Sequence, residues 1–340
     1  MIYIDIYINI PNDCILSLIY INIYQIRMKR LPNKGFQAMV PLLREEGFYE
    51  HKPIRKIHWS EYNESQIREV TETLDFIREQ VDSCNYLVLK GKVGRKLTDP
   101  KILAKGILIS EAFGFRERES QGWIKLLGPY VGICKEIDER VLGDAYNHPE
   151  VLYILKQVFE KSKTSDGKLS GDGTGLETSR KQNYESNKKS AGYMTSIVDS
   201  REVVQAFDVN GKQECQAMHE LVEKVVGTSL RLDAGFVDRK LIKKISSLGM
   251  KPFVFPKKVN KLNGSFAWKN MYLELYYDVM AWLTEYYQRT HAESFHSSFK
   301  RTNGPLLKRR AICFLSQVTA KIIIHNRSRL AYFNRIPIVV

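Results

Sequence analysis

The sequence predicts an α/β protein with a mixed sheet flanked by helices, preceded by a mainly helical region. Two observations carry this. Before about residue 160, apolar residues recur every three or four positions, as in Ile67, Val70, Leu74, Ile77 and Val81. Beyond it, three short strand-like runs come first and strand then alternates with helix, the order of a sheet with parallel and antiparallel pairs.

The first 27 residues are mostly Ile, Tyr, Asn and Leu. They lack the basic start and small-residue cleavage site of a signal peptide. Ile and Tyr would suit an added strand pair. The preferred reading is that the native start is Met28 and that 1–27 is translated spacer. Residues 60–82 read as one amphipathic helix capped by Ser60 or Asn63. Lys90, Lys92, Arg95 and Lys96 then form a basic, glycine-spaced loop. Asp99 and Pro100 are start signals for a helix that runs to Phe113 and stops at Gly114. A second helix follows from about Arg116, so 98–127 has the outline of a helix-turn-helix. A third helical stretch covers HPEVLYILKQVFEKS, and the polar run KSKTSDGK (161–168) marks a boundary.

Past that boundary KLSGDGTGLE, AGYMTSIVDS and EVVQAFDVN read as strands and QECQAMHELVEKVVG as a helix. SLRLDAGF is a strand, VDRKLIKKISSLG a helix and KPFVFPKK another strand. An aromatic segment follows, and the C-terminal part is helical. The expected organisation is therefore an uncertain extension (1–27), a helical domain (28–160) whose helix-turn-helix outline suits DNA binding, and an α/β domain (161–340) with an insertion around 257–285.

With 340 residues, 44% hydrophobic and 26% charged, the chain can build a sizeable core. The net charge of +14 calls for an acidic partner, either nucleic acid or an anionic surface. From Tyr286 onward there are ten Lys or Arg residues and a single acid, Glu293. Five scattered cysteines with no Cys-x-x-Cys pair argue against a disulfide framework or a zinc site and for a reducing cytosol. No uncharged apolar run reaches the roughly 18 to 20 residues of a membrane span.

The stretch YYQRTHAESFHSSFK (286–300) poses the chemical question. On one continuous helix, at about 100° per residue, Tyr286, Arg289, Glu293 and Lys300 fall within a stripe roughly 60° wide. That stripe carries a phenol, a guanidinium, a carboxylate and an ammonium where a surface helix places apolar contacts. Two further acids sit in apparent strands, Asp172 beside Gly173 and Asp233 near Gly235. The glycines leave room for close approach by a ligand. Two aspartates on neighbouring strands and a glutamate from a helix packed across the sheet supply hard oxygen ligands for two Mg²⁺ or Mn²⁺ ions. Such an ion pair activates an attacking oxygen and stabilises a leaving one. Arg289 and Lys300 would then hold phosphate, with Tyr286 bracing the site.

Tyr, two residues, Arg, three residues, Glu, six residues, Lys resembles the signature of a large group of prokaryotic insertion-sequence transposases of the DDE class. Asp172 in Asp-Gly-Thr-Gly and Asp233 in Asp-Ala-Gly-Phe resemble the first and second aspartates of that class. Gly94, Arg95, Lys96, Asp99, Pro100, Arg116 and Glu117 are similar to the helical region that precedes its catalytic domain. The resemblance covers about 86–330. It implies a ribonuclease-H-like catalytic fold and cleavage at the ends of a mobile element, followed by strand transfer into target DNA. Asp172 would bridge two ions, with Asp233 and Glu293 each completing one. Arg289, Lys300, Tyr286, Arg95 and Lys96 would contact DNA. The implied partners are double-stranded DNA and a second copy assembled on it, in a prokaryotic cytoplasm.

Other readings compete. Arg289 and Glu293 also suit an i, i+4 surface ion pair. The glycines at 171, 173 and 175 miss a dinucleotide-binding fingerprint by one position. His291, His296 and His325 are read as packing or phosphate contacts rather than metal ligands. Trp268 and Trp282 are read as core. At the level of function, the alternatives are a non-catalytic DNA-binding remnant of a transposase and a metal-dependent nuclease without strand transfer.

Overall fold

The computed structural model describes residues 31–45, 48–49, 57–86, 98–181, 189–209, 211, 213–308 and 310–336, with no side chain described at 179–181 or 189–191. The 1–27 extension and the loop carrying Lys90, Lys92, Arg95 and Lys96 therefore lie outside the described residues.

Helix α1 (Asn33–Leu42) is followed by α2 (Trp59–Ile67) and α3 (Glu69–Asp82). The single helix expected over 60–82 is thus two, separated at Arg68, whose φ of −91° and ψ of 0° leave the helical range. The apolar stripe divides with it: Leu74, Ile77 and Val81 are buried, whereas Ile67 is 83% exposed. Only α3 lies along the core, while α2 turns so that Tyr62 meets the Tyr332 ring edge-on. The first helix starts at Trp59 with His58 as its cap residue, so the expected caps Ser60 and Asn63 lie inside it.

Helix α4 (Pro100–Phe113) starts and stops where its signals place it. Asp99 Oδ1 accepts from the Lys101 amide at 2.8 Å. Gly114 ends the helix in the left-handed region at φ 70°, which a side chain would oppose. Every residue from Leu103 to Glu111 is buried, so α4 is a central helix enclosed on all sides. Helix α5 (Glu117–Leu127), by contrast, exposes Arg118, Trp123 and Lys125. Helices α6 (Glu139–Ala145) and α7 (Pro149–Lys161) complete the helical region.

Strand β1 (Lys168–Lys181) pairs antiparallel with β2 (Lys189–Val198), which pairs antiparallel with β3 (Val204–Asp208). Helix α8 (Glu214–Leu221) leads to β4 (Ser229–Leu232), and α9 (Arg239–Ser247) leads to β5 (Lys251–Val254). Strand β4 is parallel to both β1 and β5, and the sheet order is β3-β2-β1-β4-β5. This mixed sheet flanked by helices, behind a helical N-terminal region, is the ribonuclease-H-like α/β fold expected from the sequence.

Alternation assigns the two faces. Leu169, Ile197, Leu230 and Leu232 pack with Met218 of α8 and Leu241 and Ile242 of α9. Leu176, Met194, Val198 and Val204 pack on the other face, against α12 (Thr290–Asn303) and α13 (Ala311–Phe333). The long α13 also packs against α4 and α7, so the helical region and the sheet share one core across the expected boundary.

The aromatic segment forms α10 (Phe266–Tyr277) and α11 (Val279–Tyr286). Trp268, Tyr272, Trp282 and Tyr286 are buried with Phe36 and Val40 of α1 and with Phe253 of β5. Trp268 and Trp282 are therefore core residues, as read from sequence, and the segment roofs the β5 edge of the sheet. Among the described residues, no helix is long and apolar enough to cross a membrane.

Candidate active site

Asp172 and Asp233 meet at the end of the β1–β4 pair. The last paired residues are Gly171 and Leu232, and the two aspartates stand one position further along adjacent parallel strands. Neighbouring strands lie about 4.8 Å apart, so their Cα atoms are near neighbours. Asp233 sits just past β4 rather than inside it, where it starts a 3₁₀ turn (Ala234–Phe236). A strand interior disfavours Asp, whereas a strand end with free amides beyond it tolerates one. Asp172 shares its face of β1 with Ser170 and Leu176, the face toward α12.

Two contacts fix the approach to α12. Buried Arg231 of β4 donates from Nε to the Glu285 carbonyl at 2.7 Å and from Nη2 to the Glu285 carboxylate at 2.5 Å. Ser170 of β1 donates to the Gln288 carbonyl at 3.2 Å. Both aspartate-bearing strands thus hold the chain just ahead of Glu293.

The single helical stripe expected over 286–300 is broken. Helix α11 ends at Tyr286, a 3₁₀ turn covers Tyr287–Arg289, and α12 begins at Thr290. Tyr286 is consequently not beside Lys300 on a common face. It is buried in the aromatic core, its ring stacked on Trp282 at 5.2 Å. The remaining three stay related. The Arg289 guanidinium lies 5.6 Å from the Tyr286 ring centroid and donates from Nη1 to Glu293 Oε1 at 2.5 Å. Glu293 and Lys300, seven residues apart on α12, are both exposed on one side of it. Arg289 is partly desolvated, which by itself weakens its charge. The Tyr286, Glu293 and Asp233 groups around it outweigh that and hold its pKa above the usual value. Burial in turn pushes the Tyr286 phenol up.

The i, i+4 ion pair anticipated for Arg289 and Glu293 is therefore formed, and the same guanidinium also faces Asp233. The carboxylates of Asp172, Asp233 and Glu293 do not all lie within 4.8 Å of one another, and Glu293 is engaged by Arg289.

Two further residues join the site. Glu214 opens α8, and its carboxyl is raised above the ordinary range by burial and by the charges of Asp172 and Asp233. A Cβ at Gly173 would stand 2.6 Å from Glu214 Oε1 and 2.5 Å from the Tyr193 hydroxyl. The space at Gly173, expected to admit a ligand, is thus taken by these two side chains. His296 of α12 is buried between the second strand and the first: its Nε2 lies 2.8 Å from Ser196 Oγ and its Nδ1 3.6 Å from Asp172 Oδ2. The glycine in β1 was the one sequence signal for Glu214. The i, i+3 spacing from Glu293 was the signal for His296. His325 is a half-buried packing residue, its Nε2–H donating to the Glu202 carbonyl at 2.9 Å. Arg95 and Lys96 lie outside the described residues.

The donor set fits hard divalent cations. Asp172, Asp233, Glu214 and Glu293 offer only carboxylate oxygens, and among the described residues no Lys or Arg forms an ion pair with Asp172 or Asp233. Two ions about 3.5–4 Å apart, each with its own carboxylate, spread their donors more widely than one ion does.

No curated protein and no solved structure matches the chain significantly. The family model of the transposase DDE domain matches residues 164–327. That stretch begins just ahead of β1, ends within α13 and takes in all three acids. Over residues 164–327, just under half of the chain, the sequence is thus similar to the transposase DDE domain.

Proposed function

We propose that this transposase cuts DNA at the ends of a mobile element and joins the freed 3′-hydroxyl to target DNA, with Asp172, Asp233 and Glu293 as its catalytic carboxylates. The observation that carries this reading is the placement of Asp172 and Asp233 one step past the last β1–β4 pair, on the face toward α12, where Glu293 stands. Mg²⁺ or Mn²⁺, when bound, supplies activation of the attacking oxygen and stabilisation of the leaving one. Asp172, Asp233 and Glu293 are the carboxylates that would hold the metal. Glu293 must leave Arg289 to do so. Arg289, released from it, and Lys300 then hold the scissile phosphate. Tyr286 acts from the core by fixing the Arg289 guanidinium against its ring. His296 holds Asp172 from behind through an Nδ1 directed at its carboxylate.

Double-stranded DNA is the partner that the charge supports, with α5 and the basic 90–96 loop as further contacts. Assembly as a dimer on DNA in a prokaryotic cytoplasm belongs to the same reading. The test is incubation of the full chain with plasmid carrying the DNA that flanks its gene, in Mg²⁺ and in chelator. Mg²⁺-dependent end cleavage with joined products supports the proposal. Cleavage without joining indicates a nuclease, and binding without cleavage a DNA-binding remnant.

A further inference from the structure

Cys215 and His219 lie four residues apart on α8, so one turn brings both side chains to the same face. That face meets Asp238, the cap residue of α9. His219 Nε2 is 2.7 Å from Asp238 Oδ2, and Cys215 Sγ is 4.0 Å from the same oxygen. The three ligand atoms all lie within 4.8 Å of one another, which no other group of three or more such residues achieves among those described.

We propose that Cys215, His219 and Asp238 form a zinc site that clamps the first turns of α8 and α9 beside the carboxylate cluster. Thiolate, imidazole and carboxylate together suit borderline-soft Zn²⁺, whereas Mg²⁺ avoids sulfur. Tetrahedral zinc with bonds of about 2.0–2.3 Å separates its donors by roughly 3.3–3.7 Å, so no donor has to shift relative to another by more than about 1.5 Å. The three residues are partly buried, within reach of solvent yet held in place. Asp238 is already oriented: its Oδ1 accepts from the Lys240 amide at 2.8 Å, which leaves Oδ2 for the metal. The helices are also pre-aligned, since Lys244 of α9 donates to the His219 carbonyl at 2.7 Å. Metal binding replaces the His219–Asp238 hydrogen bond, with the Nε2 proton passing through solvent to Nδ1, releases the Cys215 thiol proton to water and leaves a fourth position for a water molecule. This reverses the expectation, drawn from the absence of Cys-x-x-Cys, that the cysteines bind no zinc. It is independent of the catalytic reading, although Glu214 and Cys215 are adjacent and a clamp here would steady Glu214 at Gly173.

The test is the zinc content of the full chain produced with zinc in the medium and desalted. Wild type should retain about one zinc per chain. Cys215→Ser and His219→Gln should fall to the level of a blank, while Asp172→Asn and Asp233→Asn should keep it. Replacement by Co²⁺ should give a thiolate-to-cobalt absorption band in wild type that Cys215→Ser lacks. If wild type holds no more zinc than the variants, or its cobalt spectrum lacks the thiolate band, the proposal is wrong. The wild-type spectrum decides even if a variant fails to fold.

Discussion

Two charged clusters in this molecule obey opposite rules. Between α4 and α13, Glu111 and Lys321 are both buried and form an ion pair at 2.8 Å. Glu111 also accepts from the Tyr146 hydroxyl at 2.6 Å and from Gln317 Nε2 at 3.0 Å, while Lys321 donates to Asn303 at 3.3 Å. Every charge there has an opposite charge and the lone pairs are used. At the end of β1 and β4, by contrast, Asp172, Asp233 and Glu214 are like charges close enough to act on one another, and burial together with that repulsion raises the Glu214 carboxyl. A buried ion pair that satisfies itself is part of the packing. Like charges gathered at a strand end work against the fold, and the metal-binding role proposed for them would account for that cost.

The largest expected effect breaks the second cluster without harming the first. Asp172→Asn and Glu293→Gln should each lower Mg²⁺-dependent end cleavage by about 10³-fold or more, equal to roughly 4 kcal/mol of barrier. Neither should lower the urea midpoint appreciably. Cleavage that survives Glu293→Gln at the wild-type rate removes that residue from the site and leaves only its ion pair with Arg289.

Lys321→Met tests the first cluster. It leaves Glu111 charged and buried without its cation and should destabilise the chain by about 3–5 kcal/mol, read from urea unfolding. Adding Glu111→Gln should restore part of the loss. If Lys321→Met alone is neutral, the contrast between the clusters fails.

A third experiment concerns pH. Burial lowers the His325 pKa to about 4; the Glu202 carbonyl opposes this and the Arg329 charge adds to it. The unfolded chain takes up this proton near pH 6.5 and the folded chain only near 4. The stability from neutral His325 is therefore complete above about pH 6.5 and is lost as pH falls toward 4, by at most about 3 kcal/mol. His325→Phe, beside the Phe295 ring at 4.8 Å, should flatten that part of the stability–pH curve. An unchanged slope would show that other groups produce it.

The smallest effect is the most discriminating for the carboxylates. Glu214→Gln removes one of three neighbouring like charges and should raise stability at neutral pH by a few tenths of a kcal/mol. A loss of stability instead would mean that Glu214 serves the fold through its contact over Gly173.

Much of this was written locally. Asp99 and Gly114 bound α4 because a cap and a left-handed glycine act within a few residues of themselves. The five strands were legible as short strand-like runs, and the candidate acids stood out because Asp is unfavourable in the runs that carried it. What the sequence by itself determined is therefore the set of elements, their class and the residue types able to carry the chemistry. The tertiary structure decided the rest, because those outcomes depend on partners far along the chain. The helix expected over 60–82 divides at Arg68, because α3 follows the core and α2 turns toward α13. The 286–300 stripe breaks at a 3₁₀ turn held by Arg231 and Ser170, residues that no helical periodicity could reveal. Glu214 reaches the aspartates, and His219 reaches Asp238, only once the sheet order has brought α8 and α9 beside the strand ends. Local interactions are encoded within a few residues, whereas register and packing between distant segments are settled only when the whole core closes.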